Sequence, residues 1–413
     1  MANTVLSPSI IAKAAVALLD NELVAAKNVY RGYEEEFSKN VNGYTVGSSV
    51  SIRKPNQFTV RTGSTASIQD VTEGTMSLSV DKVAGVDFKF TSTELTLNIK
   101  DLAERVMKPA MIQVANKIDQ DVLALYKDVY NWVGTPGNTI GSFASFAKGP
   151  ERLDLTAVPN DMRKAILSPS DHWGIAGAQT ALYMQNIAGN AYRKGRIGEV
   201  ADVDTYKSQN VVTHTVGSTA GTPLINGAAQ NVTYATTKAT NSVPGTQSLI
   251  TDGWTASGAV IKQGDVFTIA NVFAVNPVTK AVLPYLQQFV ATADGTADGT
   301  GNLTMTIAPA IITSGAFQTV SAAPADNAAI TRLGTAATGY AQNLIYHPTA
   351  FALVVVPMVK PPGAVDVAVE TYKGISVRVA PYWDGANDSS AYRMDVLYGV
   401  RTVDPRLACR VSG

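Results

Sequence analysis

VDKVAGVDFKFTSTELTLNIKDLAERVMKPAMIQVANKIDQDVLALYKDVYNW, Val80 to Trp132, contains the change of period on which the fold turns. Its first part places large apolar residues at alternate positions, Val86, Phe88 and Phe90, the repeat of a half-buried strand. Its second part places them at helical spacing, at Leu102, Val106, Val114, Ile118, Val122 and Leu125, which is one face of a helix. Asn98, with Asp101 three residues on, supplies a capping sequence for that helix. Carried to Trp132, the helix would span on the order of 45 Å at about 1.5 Å per residue, long enough to serve as a strut. Pro109 removes one backbone hydrogen bond and predicts a kink or a break.

Upstream, the period-two pattern extends back to about Tyr44, through Val46, Val50 and Ile52, then Phe58 and Val60, then Met76, Leu78 and Val80. The middle of this stretch, Arg61 to Glu73, is rich in Gly, Ser and Thr. It predicts a long hairpin over 44–92 whose tip has no core of its own and needs another surface to rest on. Before it, Ser7 and Pro8 open a helix over about 8 to 28, with Ile10, Ile11, Ala14, Ala17 and Leu18 at helical spacing. Its tether is the Gly32 and Tyr33 region and the acidic run Glu34, Glu35 and Glu36, so this helix docks either on its own domain or on a neighbour. The three glutamates are expected to form a solvated face, because consecutive helical positions do not face one another.

Downstream, Lys164 to Leu167 predicts a strand, and Ser168, Pro169 and Ser170 a helix start. Composition changes at about Val216. From there to Thr338 the chain is Thr, Ala, Gly and Ser with short β-type runs at Asp265 to Ala270, Phe273 to Val275 and Leu303 to Ile307. A helix-free block of this kind predicts an independent β-barrel or sandwich inserted into a mixed domain. Apolar strands resume at Asn343 to Tyr346, Ala352 to Val356, Val365 to Val369 and Ile375 to Val379. The expected fold class is therefore α+β, with an arm over 1–43, a hairpin over 44–92, a helix and first domain part over 93–215, an inserted all-β block over 216–338 and a second domain part over 339–413.

The 413 residues carry no formal net charge at pH 7 and only 16% charged residues, against roughly 25% in an ordinary globular chain. Little long-range repulsion separates copies of such a protein, which favours self-association. The balance argues against a dedicated nucleic-acid binder, which needs a basic excess. Cys409 is the sole cysteine, expected as a small apolar filler in a reducing compartment. MANTVLSPSI has no basic region followed by an apolar stretch, and the apolar run Ala350 to Val359, broken by Pro357, is about half the length that spans a bilayer. A protein made and used in a cytoplasm, without a membrane partner, is the expectation.

No catalytic, cofactor-binding or metal-binding residues are nominated. His172, His214 and His347 lack metal-ligand spacing with each other and with the cysteine. Asp294 and Asp298, in ADGTADGTG, lack the oxygen-donor density of a calcium loop and are expected at a hairpin tip. Arg193, Lys194 and Arg196 form a small basic cluster that could meet phosphate, or Glu199, Asp202 or Asp204 of another copy. No glycine-rich phosphate loop, nucleophile elbow or dinucleotide fingerprint is present.

Four ordered segments add a resemblance: AILSPSDHW, Ala165 to Trp173; AYRKGRIGEVADVDTY, Ala191 to Tyr206; KQGDVFTIANVFAVNP, Lys262 to Pro277; and YRMDVLYGVRTVDPRLACRV, Tyr392 to Val411. With the order of parts, they resemble the major capsid proteins of tailed bacteriophages with the Hong Kong 97-type fold, most like the short-tailed Salmonella phage coat protein type with its inserted β-barrel. Leu397 replaces the aromatic residue usual before the Tyr-Gly-Val step. The resemblance implies an N-arm, E-loop, spine helix, P-domain and A-domain. It also implies hexamers and pentamers of this chain in an icosahedral head around double-stranded DNA, bound without sequence specificity. A scaffolding protein during assembly, a portal protein, shell expansion, and an inserted domain that aids folding and guides capsid size are implied as well, with no enzymatic activity and noncovalent closure. An encapsulin-type nanocompartment shell shares the fold and is the alternative. A surface β protein would need export, and an enzyme would need a site that no motif reveals.

Overall fold

Strand Lys82–Thr91 pairs antiparallel with Ser389–Thr402 from the far end of the chain, setting Val86 opposite Met394 and Phe88 opposite Tyr392. In the computed structural model the described residues are 8–38, 40–41, 44–45, 47–66, 68–69, 71, 74–91, 106–180, 197–218, 221–234, 245–361, 367–385 and 387–413. They fall into two units: Met1–Val50, Ser77–Leu123 and Phe351–Arg401 in one, Ser51–Met76, Ala124–Ala350 and Thr402–Gly413 in the other.

The first unit contains a sheet in the order Phe351–Val356, Ser389–Thr402, Ile375–Asp384, Ala368–Tyr372, with Lys82–Thr91 also on Ser389–Thr402. Val377, Val379, Met394 and Val396 bury the alternate positions. Helices α1 (Pro8–Glu22), α2 (Glu34–Ser38) and α3 (Lys108–Leu123) belong to the same unit. Helix α3 turns in Met111, Val114, Ala115, Ile118 and Val122. A π-type turn at Val106 and Met107 leads into it. Pro109 stands in its first turn, where a missing N–H disrupts least. The helix stops at Leu123 and continues only as a 3₁₀ turn, Ala124–Asp128, short of the expected Trp132. Asn98, Asp101 and Leu102 lie outside the described residues.

Helix α1 packs on α3 and on strands Ala368–Tyr372 and Ile375–Asp384. Ile11, Ala12, Ala15, Val16 and Leu19 form its buried stripe. It ends at Glu22 rather than near 28, because the N–H groups of Val24 and Ala26 donate to the buried Asp119 carboxylate of α3, at 2.8 and 2.9 Å. The Tyr30 N–H then donates to Phe351 O (3.1 Å), and the Leu353 N–H to Tyr30 O (3.0 Å). The arm is therefore docked on its own unit rather than hanging by a thin tether.

The second unit contains a six-stranded sheet in the order Trp132–Val133, Ala408–Val411, Asn343–Tyr346, Lys164–Leu167, Val203–Lys207, Glu199–Val200. Helices α4 (Phe143–Leu155) and α5 (Pro169–Thr180) lie in this unit, α4 starting from a Ser142–Ser145 capping box. Phe146, Leu153, Leu167, Ile345, Cys409 and Val411 share its core. Helix α4 is not expected from propensity, since Gly149 and Pro150 sit at its buried centre. A Cβ at Gly149 would come within 2.6 Å of Ile345 Cδ1, so close packing and not propensity places glycine there.

Six further strands come entirely from 221–332: Gly221–Ile225, Gln247–Trp254, Leu303–Ala308, Val282–Ala291, Val266–Val275 and Ile330–Arg332, in sheet order. First and last are joined by Ile225 N to Ala328 O (3.0 Å), Asn327 N to Ile225 O (2.9 Å) and a bridge between Leu224 and Ala329, so the circuit of hydrogen bonds closes. Leu249, Trp254, Phe267, Ile269, Phe289, Met305 and Ile307 fill its interior. The two runs expected around Asp265 and Phe273 are one strand with a register shift, eased by the left-handed backbone of Asn271.

Among the described residues, the hairpin expected over 44–92 is paired near its base, as Ser49–Arg53 with Thr75–Ser79. No strand includes Phe58 or Val60, which correct that expectation: they are 57% and 94% exposed, with no facing surface to reward pairing. Among the described residues no helix is long and apolar enough to cross a membrane.

Candidate functional site

Two features of the second unit stand out: a buried polar junction and an uncovered apolar loop. The junction is built on Asp265, at the Gly264–Asp265 turn before strand Val266–Val275. Its carboxylate accepts from Lys262 N (2.9 Å) and Gly217 N (3.0 Å), and lies 2.8 Å from His214 Nε2. His214 Nδ1 lies 3.0 Å from the Tyr126 hydroxyl. Arg410, wholly buried, donates from Nη1 to Gly264 O (2.8 Å) and to Gln342 Oε1 (3.3 Å). Its guanidinium lies over the rings of Tyr126 and Trp132, at 5.1 and 5.6 Å. Those faces compensate Nε and Nη2, which have no hydrogen-bond partner among the described residues. Burial pushes the Arg410 pKa down to about 10, with Tyr126 and Asp265 opposing, so it remains a cation at neutral pH. The Tyr126 phenol is pushed up by burial, partly offset by Arg410.

Beside this cluster the Gln288 side chain imitates a strand. It accepts from Trp132 N (2.8 Å) and donates to Trp132 O (2.7 Å), tying Val282–Ala291 to the mixed sheet. Arg152 donates to the same amide oxygen at 3.3 Å and lies 3.7 Å over the Tyr285 ring. A Tyr–His–Asp chain could in principle relay protons. Here Tyr126, His214 and Asp265 are all buried and spend their polar atoms on the chain itself, so the arrangement acts as a clamp between the closed β circuit and the sheet.

The three histidines do not meet. His172 is buried beside Trp173, and His347 Nδ1 lies 2.7 Å from Thr349 Oγ1. Among the described residues no cluster of His, Cys, Asp and Glu could hold a metal. Cys409 is buried, and burial pushes its thiol up to about 12. The Asp298 carboxylate accepts from Thr300 N (2.8 Å) and Asn302 N (2.9 Å), which hold its pKa down at about 2, and Asp294 accepts from Gln263 N (2.8 Å). Asp298 is thus committed to its own turn and Asp294 to the neighbouring turn at Gln263. Glu34 pairs with Arg31 at 2.7 Å and is half-buried, which departs from the solvated face expected of the acidic run. Asp204 pairs with Lys164 of its own chain. Arg193, Lys194 and Arg196 lie outside the described residues.

The junction escaped sequence reading because its members are scattered from 126 to 410. The available signal was local: a charged residue in an otherwise apolar strand, as Arg410 is between Cys409 and Val411.

The second feature is the loop 54–74. Phe58, Val60, Ile68 and Val71 are 57%, 94%, 94% and 69% exposed. Side-chain bonds shape it: Gln69 accepts from Thr59 N (2.8 Å) and Arg61 donates to Thr65 O (2.9 Å). Four large apolar side chains thus stand exposed on one loop.

The model of the P22 coat protein family (gene protein 5) matches residues 2–411 of this chain. A major capsid protein of Acyrthosiphon pisum secondary endosymbiont phage 1 is 23% identical over 409 residues, covering 95% of this chain and 94% of that protein. Among solved structures, one from Mycobacterium phage Che8 overlaps with a TM-score of 0.49 at 13% identity, covering 94% of this chain and 90% of that one. The mature capsid of bacteriophage PhiM1 overlaps with a TM-score of 0.42 at 13% identity, covering 89% and 82%.

Proposed function

The chain belongs to the P22 coat protein family and is a phage major capsid protein, part of the virion; from that premise we propose that it builds its shell by covering the loop 54–74 of each copy with the surface of another. The exposure of Phe58, Val60, Ile68 and Val71 is the observation that carries this reading. Full burial of one such side chain is worth about 1.5–3 kcal/mol before the cost of ordering it, and the gain is repeated at every symmetry-related contact. Neutral net charge, with little repulsion between copies, supports the same conclusion.

In this proposal the parts take the roles of the Hong Kong 97-type fold. Residues 1–43 are the N-arm, 44–92 the E-loop, and 93–215 the spine helix with the first parts of the P- and A-domains. The stretch 216–338 is the inserted β-barrel domain and 339–413 completes the A- and P-domains. The closed circuit of strands within 221–332 and its own core support the barrel. Copies assemble as hexamers and pentamers in an icosahedral head, with a scaffolding protein during assembly, a portal protein at one vertex and double-stranded DNA inside. Closure is noncovalent and no reaction is catalysed. Family membership displaces the encapsulin-type alternative.

The test is electron microscopy of the chain expressed with and without its scaffolding protein. Closed shells of uniform diameter with the scaffold are expected. A chain that remains monomeric in both cases would refute the proposal.

A further inference from the structure

The root of the loop 54–74 is held at two points by other parts of its own unit. With its amide turned to suit its neighbours, Gln57 donates to Ala316 O at 2.8 Å and accepts from Arg406 Nη1 at 2.6 Å. Arg406 is itself fixed by Asp404, through Nε at 3.0 Å and Nη2 at 2.6 Å, on the 3₁₀ turn Pro405–Leu407. On the returning side, the Gly74 backbone hydrogen-bonds the Tyr234 hydroxyl. The Tyr234 ring stacks on Phe317 at 3.6 Å and 11°, beside Ala316. Lys54 N donates to Gly74 O at 2.7 Å, closing the root on itself. Beyond its root the loop carries internal bonds, such as those of Gln69 to Thr59 and of Arg61 to Thr65, and its exposed apolar residues.

We propose that Tyr234, Phe317, Ala316 and Arg406 form a seat for the root of this loop, and that the seat sets the direction in which the loop's apolar tip is offered to a second copy of the chain. The direction matters more than the strength of these bonds. A loop leaving at the wrong angle would present Phe58, Val60, Ile68 and Val71 where no neighbour can cover them, or would join neighbours at the wrong curvature. The seat also gives the block 216–338 a role toward assembly, since Tyr234, Ala316 and Phe317 belong to it. This inference rests on the reading of the loop as a contact between copies.

The test is the double variant Gln57→Ala/Tyr234→Phe, which removes all three of these side-chain hydrogen bonds while leaving the Tyr234–Phe317 stack. In free subunits, tryptic cleavage after Arg61, identified by mass spectrometry, is expected to accelerate about fivefold or more, with an unchanged urea unfolding midpoint. Shells made with the scaffolding protein are expected to be heterogeneous in diameter. Unchanged cleavage at Arg61 overturns the seat. Faster cleavage with shells of wild-type diameter overturns its steering role. If the wild type forms no shells either, the reading of the loop as a contact between copies fails, while the cleavage ratio still decides whether the seat exists.

Discussion

Replacement of Asp265 by alanine tests the junction that binds the closed β circuit to the sheet. The carboxylate is buried and serves Lys262 N, Gly217 N and His214 Nε2. Alanine leaves these groups without their acceptor in a site closed to water, at about 1–3 kcal/mol for each donor that cannot relax. Arg410 and Arg332 also lose a nearby negative charge, and breaking a buried charge pair costs about 3–5 kcal/mol. Because these contributions overlap, the expected loss is about 4 kcal/mol. Asp265→Asn keeps one acceptor oxygen and is expected to lose about half as much. With a urea dependence of about 2 kcal/mol per molar, the alanine variant's midpoint falls by about 2 M and that of the asparagine variant by about 1 M. Intrinsic fluorescence follows the transition, Trp132 and Trp254 both being buried in this unit. Should Asp265→Ala fail to accumulate, Asp265→Asn carries the measurement. An asparagine midpoint within about 0.2 M of wild type would refute the reasoning.

Cys409, with its thiol pushed up to about 12 from 9.0, is expected to carry roughly a thousandfold less thiolate at pH 8 than an ordinary cysteine. Iodoacetamide should therefore label it only after unfolding, and prompt labelling of folded subunits would contradict its burial. Phe58→Ser with Val60→Ser is expected to leave the subunit's urea midpoint unchanged, because both residues are exposed, yet to weaken assembly, read as a higher protein concentration for shell formation. Burial raises Asp121, but Lys117, Tyr398 and Lys82 bond to it and leave its pKa net lowered. Its contribution is thus present above the unfolded value near 3.8 and is lost as pH falls through the folded value, so Asp121→Asn should flatten the acid limb of the stability profile. An identical acid limb in that variant would count against these bonds.

The parts legible in the sequence were those with a clean period. Asn343–Tyr346 and Lys164–Leu167 occupy the residues the apolar runs marked, and the Thr, Ala and Gly-rich stretch is helix-free among its described residues. Phe58 and Val60 carried the same alternation without forming a strand, since alternation reports a face to be covered, not what covers it. Helix α4 was hidden because Gly149 answers to Ile345, almost two hundred residues away. The helix of the opening stretch stops early where its period continues, and α1 ends early because Asp119 takes the N–H groups that would have extended it. The junction was invisible for a related reason: His214, Asp265 and Arg410 acquire their roles only when the circuit of strands is set against the sheet.

Hydrogen exchange over 54–71, compared between free subunits and assembled shells, bears most directly on the idea that copies cover one another's loop. Slow exchange in shells and fast exchange in free subunits is the predicted result. Equal rates in the two states, with shells present and intact, would contradict it.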